Sequence, residues 1–153
     1  LTIHGRTTKE MSKVPARWED IQTIREIRDR VAPQTLIVGN GDVMSREHGE
    51  QLATETGVDG VMIGRAIFTD PYIFAKNSKW HDAPEATRLQ MYINHINLFM
   101  QTYPNRERNW ESLKRMAKIY VRGIENASSF RDSLMRSKSA DEMIAVLQSR
   151  ING

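Results

Sequence analysis

Three apolar runs, each ending in glycine beside a polar side chain, limit what this chain can fold into. They are LTIHGRT, TLIVGNGD and DGVMIGR, and all three fall within the first 65 residues. Between the first two lies RWEDIQTIREIRDRV, with Ile21, Ile24 and Ile27 at helical spacing. Between the second and third lies REHGEQLATET, with Ser45 placed to cap it, Glu47 in its first turn and Gly57 to close it. Strand, helix, strand, helix, strand, with strands apolar throughout, predicts a parallel α/β layer covered on both faces.

In such a layer, chemistry collects where the strands end. The three ends are HGRT (His4 to Thr7), GNGD (Gly39 to Asp42) and GR (Gly64 and Arg65). A glycine allows close approach of backbone to ligand, and a helix following it adds a partial positive charge. Arg65 can add a bidentate, charge-assisted pair to the same anion. Any one junction is explained by a sharp turn alone. Three on successive strands point to a shared anion site, with phosphate as its ligand.

The texture changes after about residue 76. KNSKWHDAPEA reads as a linker, here bounded at 77–84, and residues 85–153 read as a small helical bundle. Leu89, Tyr92, Ile93, Ile96, Phe99, Met100 and Tyr103 mark one amphipathic helix. A second is predicted from about Trp110 to Arg122, a third over SFRDSLMRS and a fourth over SADEMIAVLQSRI, the last two each opened by serine or aspartate. The charge divides at the same place. Residues 1–84 carry 11 Lys and Arg against 12 Asp and Glu, whereas residues 85–153 carry 11 against 7. Lys114, Lys118 and Arg122 recur at i, i+4 and i+8, one face of the predicted helix. That pattern is compatible with a solvated face and with a polyanion-binding one.

Composition excludes several classes. No apolar run approaches the roughly 18 residues that a membrane helix needs, and no signal peptide is expected from the opening residues LTIHGRT. With no cysteine, disulfides, thiolate metal sites and thiol catalysis are all absent from these 153 residues. His48, His81 and His95 show no metal-ligand spacing and read as surface or structural residues. The start inside a strand, without methionine, leads us to expect a piece of a longer protein, and a cytoplasmic location is consistent with the composition.

LTIHGRT followed by Trp18, then IVGNGDV, then TGVDGVMIGRAIFTDPYIF, resembles the carboxyl-terminal half of the tRNA-dihydrouridine synthases. The resemblance covers essentially the whole chain. It implies an α/β plus all-α architecture: residues 1–76 as the last three β/α units of an FMN-binding (β/α)8 TIM barrel, and residues 85–153 as a helical tRNA-binding domain. It also implies reduction of uridine to 5,6-dihydrouridine with NADPH as reductant. By the same resemblance His4 contacts the flavin, Asn40, Gly41 and Asp42 line its phosphate and ribityl region, and Gly64 and Arg65 hold the phosphate. Arg6 and the loop through Trp18 lie near the substrate mouth. Lys114, Lys118 and Arg122 contact tRNA.

The family's flavin-contacting lysine and proton-donating cysteine are expected upstream, as are its first five strands. No catalytic residue is therefore assigned here, and the chain alone is expected to be inactive. The open sheet edges of a partial barrel are expected to invite self-association. Two alternatives are another FMN-dependent barrel acting on a small molecule, which would not need the basic helical segment, and a non-catalytic RNA-binding fragment.

Overall fold

The α/β layer, expected to be covered on both faces, is only partly covered: Ile3 and Val61 are half-buried, and Leu36 and Met62 are exposed at 65% and 46%. The computed structural model describes residues 1–105 and 107–153 and divides into two units, Leu1–Ser78 and Lys79–Gly153. In the first, β1 (Thr2–His4), β2 (Val38–Asn40) and β3 (Gly60–Met62) form a parallel sheet in the order β1-β2-β3. The register aligns His4 with Asn40 and Asn40 with Met62, so the strands finish level with one another. Helices α1 (Trp18–Val31) and α2 (Arg46–Thr56) make the two connections. Ile21, Ile37 and Val58 form the buried centre, with Ile3, Trp18, Ala53 and Val61 packed around them.

The second strand is shorter than TLIVGNGD predicts, because side chains occupy the backbone groups at its start. Arg28 on α1 donates to the Thr35 carbonyl, while the Asp59 carboxylate accepts from the Ile37 amide at 2.7 Å and from Arg28 at 2.7 Å. Those groups leave the ladder and tie α1 to the strand entrances instead. The helix ends behave as expected from their residues. Ser45 accepts from the His48 amide, and Gly57 closes α2 in the left-handed region at φ 68. Ile27 differs: at 43% exposure it lies off the buried face that its spacing implies.

The second unit packs α3 (Glu85–Thr102), α4 (Ala117–Tyr120), α5 (Ala127–Arg136) and α6 (Ala140–Asn152) around one core. From α3, Leu89, Tyr92, Ile93 and Ile96 are buried; from α6, Ala140, Met143 and Leu147. Tyr92 stacks on Tyr120 at 4.5 Å and donates its hydroxyl to the Leu113 carbonyl at 2.7 Å. Ser139 caps α6 through the Glu142 amide. Asn126, in the left-handed region, precedes α5 where a serine is predicted to open it.

The continuous helix predicted from Trp110 to Arg122 is not observed. Trp110–Met116 is a 3₁₀ helix, α4 continues only to Tyr120, and Arg122 lies beyond it. Trp110, Leu113 and Met116 recur every third residue, which is the 3₁₀ period, and all three turn toward the core. Tyr92 also draws the Leu113 carbonyl toward its own hydroxyl. Lys114, Lys118 and Arg122 therefore do not share one helical face. Lys114 is 16% exposed, lies 4.9 Å from the centre of the Trp110 ring and pairs with Glu111 at 3.5 Å, while Lys118 and Arg122 are exposed. Among the described residues, no helix is long and apolar enough to cross a membrane.

Candidate functional site

Because the three strands finish level, the residues that follow them meet at one edge of the sheet. His4, Asn40, Gly41, Asp42, Gly64 and Arg65 line a single cleft of about 570 Å³, with Val43, Met44, Ala66 and Thr69 completing its wall. Six residues read from three separate stretches of sequence are thus brought together. Asn40 is held by its side-chain amide, which donates to the Met62 carbonyl of the neighbouring strand at 2.8 Å.

The two glycines of this cleft play different parts. Gly41 has φ 135, and a Cβ there would lie 2.6 Å from the Ala16 Cβ. Its glycine is required by conformation and by packing. A Cβ on Gly64 would meet nothing within 4 Å, since it projects into open space. That space lets a ligand approach the backbone closely. The segment after Gly64 is a single 3₁₀ turn, Arg65–Phe68, rather than the helix expected there. With so few aligned peptide dipoles, attraction for an anion rests on the Arg65 side chain rather than on a helix end.

Asp42 is the hub of the site's charges. It adopts φ 52, and its carboxylate accepts from the Arg6 guanidinium, from the Ala16 amide at 2.9 Å and from Arg65 at 3.1 Å. The Arg6 guanidinium holds the Asp42 carboxyl below the usual carboxylate range, with the Ala16 amide and Arg65 acting in the same direction against partial burial. Arg6 is 5% exposed and also donates to the Val14 carbonyl. Its side chain clamps the loop that follows β1 through Asp42 and the Val14 carbonyl. Arg65 is 65% exposed, with its second nitrogen on the Ser12 hydroxyl at 2.7 Å. Two guanidinium groups surround one carboxylate, so the cluster keeps a net positive charge and offers it to solvent through Arg65.

The loop from Arg6 to Arg17 has its own lock. Glu10 accepts from the Thr7 amide and hydroxyl and takes a two-point contact from Arg17 at 2.9 and 3.0 Å. The Arg17 hydrogen bonds, followed by those from Thr7, pull the Glu10 carboxyl from the ordinary 4.5 down to about 2. The neck of the loop is closed by the Arg17 amide on the Gly5 carbonyl at 2.8 Å. Trp18 packs against Gly39, where a Cβ would come within 2.5 Å of the ring, and its indole donates to the Gly41 carbonyl at 2.9 Å. Ser12, Ala16 and Met44 were not singled out from sequence. Their parts depend on tertiary approach, and no local pattern marks them. Among the described residues, no group of three or more His, Asp or Glu side chains is arranged to hold a metal.

The family model described as dihydrouridine synthase (Dus) matches residues 1–152. The chain is 46% identical over 147 residues to the "probable tRNA-dihydrouridine synthase" of Staphylococcus aureus strain Mu50, covering 96% of this chain and 44% of that relative. It is 43% identical over 155 residues to the protein of the same description in Staphylococcus epidermidis strain ATCC 12228, covering 99% and 47%. It is 46% identical over 147 residues to "probable tRNA-dihydrouridine synthase 2" of Bacillus subtilis strain 168, covering 96% and 45%. The chain spans less than half the length of each of these relatives.

Proposed function

Because the chain belongs to the dihydrouridine synthase family, we propose that it forms the FMN-binding and tRNA-contacting portion of a tRNA-dihydrouridine synthase. The observation that carries this reading is the cleft at the strand ends, where an exposed arginine stands beside a glycine with open space over it. These residues fit a phosphorylated flavin. Arg65 would take the phosphate, with Gly64 permitting its close approach. Asp42, already committed to two arginines, would orient Arg65 rather than meet the phosphate itself, since two anions repel. Asn40 and Gly41 would line the ribityl chain, and His4 would lie against the flavin. In this reading the three strands are the last of a (β/α)8 barrel.

When bound, FMN would supply two-electron chemistry, passing a hydride drawn from NADPH to uridine, which also takes up a proton to become 5,6-dihydrouridine. No cysteine in these 153 residues can be the proton donor, and a barrel takes about 250 residues, so this chain alone is proposed to be inactive. Its residues would bind and orient the cofactor and hold the RNA. Exposed Lys118 and Arg122 of the helical unit would contact tRNA phosphates, positioning the RNA without reading its sequence.

A flavin-fluorescence titration tests this. FMN is expected to bind, and Arg65→Ala is expected to weaken it about tenfold or more, the scale of a charged hydrogen bond of roughly 1.5–3 kcal/mol. Riboflavin, which lacks the phosphate, should bind both proteins alike. With FMN, NADPH and unmodified tRNA added, no dihydrouridine should form. Equal loss of FMN and riboflavin in the variant would reject the phosphate assignment, and product formation would reject the proposed inactivity. The exposed apolar side chains along the sheet, Leu1, Leu36 and Met62 at 72%, 65% and 46%, favour one second reading. In it, this chain holds RNA but completes its flavin site only with further strands, and the titration would then show RNA binding without FMN binding.

A further inference from the structure

The tip of the loop between β1 and α1 presents Met11 in a conformation that methionine rarely adopts. Its φ is 52, and its side chain is 69% exposed. A single exposed methionine needs no explanation by itself. A left-handed one does, because glycine or asparagine would hold that turn at lower cost, and methionine has no side-chain hydrogen bond to offset the strain. Lys9 and Lys13, two positions to either side, are exposed and enter no ion pair among the described residues. The other cations of the loop are committed, Arg6 to Asp42 and Arg17 to Glu10 and Asp20.

The tip is also held in place. Glu10 ties the loop to Thr7 and Arg17, the Met11 amide donates to the Thr7 carbonyl at 3.3 Å, and the Lys13 amide donates to the Glu10 carbonyl at 3.0 Å. Ser12, directly after Met11, bonds Arg65, which fixes the tip at the rim of the cleft. An apolar side chain on a tethered backbone, between two cations outside any ion pair among the described residues and held beside a binding cleft, has the chemistry to lie against a base and meet its neighbouring phosphates. Apolar wedges of this kind include methionine, and unpaired bases are what RNA-binding surfaces exploit.

We propose that Lys9, Met11 and Lys13 form a contact for an unpaired nucleotide of RNA, with Met11 against the base and the lysines on the flanking phosphates. This rests on the reading of the substrate as tRNA. Because the loop backbone is tied down, the ordering cost of binding falls on the side chains of Lys9, Met11 and Lys13 rather than on the backbone.

The test is fluorescence anisotropy of a labelled, unmodified tRNA transcript against the whole chain over a range of salt. Met11→Gly suits the φ of 52, so it removes the side chain without straining the turn. It should weaken binding about fivefold, within the range for losing a sulfur–aromatic contact, with the salt slope and Tm retained. The Lys9→Ala, Lys13→Ala pair should lower the salt slope by about 1.5. Should Met11→Gly lower Tm, Met11→Asn, which also tolerates a left-handed turn, replaces it with the same expected loss. If wild type binds and either the methionine or the lysine variant binds as wild type does, the proposal falls and the tRNA reading stands. If wild type binds no RNA at all, both fall together.

Discussion

Gly41 and Gly64 line the same cleft, yet a methyl group would act on them through different physics. At Gly41 it meets Ala16 at 2.6 Å and a backbone at φ 135 that L residues avoid; at Gly64 it meets nothing. Gly41→Ala is therefore expected to destabilise the first unit by about 2 kcal/mol, from strain and overpacking together. Gly64→Ala should lower Tm far less and should act on FMN affinity instead. Thermal melts of both variants beside flavin titrations check the contrast, and a Tm loss at Gly64 equal to that at Gly41 would contradict it. Both glycines are conspicuous in the sequence, whereas their difference is not. It depends on Ala16, 25 positions before Gly41, whose amide is held by Asp42 at 2.9 Å. Arg6 shows the same limit: nothing local in the sequence marks its bonds to Asp42 and the Val14 carbonyl.

At the scale of elements, hydrophobic spacing identified α1 and α3, an opening serine and closing glycine marked α2, and an opening serine marked α6. It misread the segment from Trp110 to Arg122, where apolar residues at 110, 113, 116, 117 and 120 satisfy both a 3.0 and a 3.6 period. Tertiary packing broke the tie: burial of Trp110, Leu113 and Met116 against the core favours the tighter helix. The three cations of that segment separate as a result. Lys114 spends its charge on Glu111 and the Trp110 ring, whereas Lys118 and Arg122 face solvent. Each phosphate contact contributes roughly 0.7–0.9 to the salt slope. Replacing Lys118 and Arg122 by alanine is thus expected to lower the slope for tRNA by about 1.5, with Lys114→Ala adding little further. An additional drop of equal size from Lys114 would show that it leaves the ring to reach the RNA.

For the whole molecule, the decisive feature is that two separate cores stand behind two different surfaces. The helical unit buries Leu89, Tyr92, Ile96, Leu134, Met143 and Leu147 almost completely, while in the α/β unit Ile21, Ile37 and Val58 form a smaller cluster, with Val43, Leu52, Ala66 and Ile73 buried outside it. Met143→Ala should therefore cost the helical unit about 2–5 kcal/mol and diminish its RNA affinity, leaving the FMN titration of the α/β unit unchanged. Loss of flavin binding in that variant would show that the two cores depend on each other. The order of β1, α1, β2, α2 and β3 and six of the residues that line the cleft were legible in the chain, because they follow from local periodicity and from glycines at strand ends. The partners of Asp42, the burial of Arg6, the position of Ser12 beside Arg65 and the 3₁₀ path of residues 110–116 were not. Each of these depends on groups distant in sequence competing for the same hydrogen bond or the same space, and that competition exists only once the chain has closed on itself.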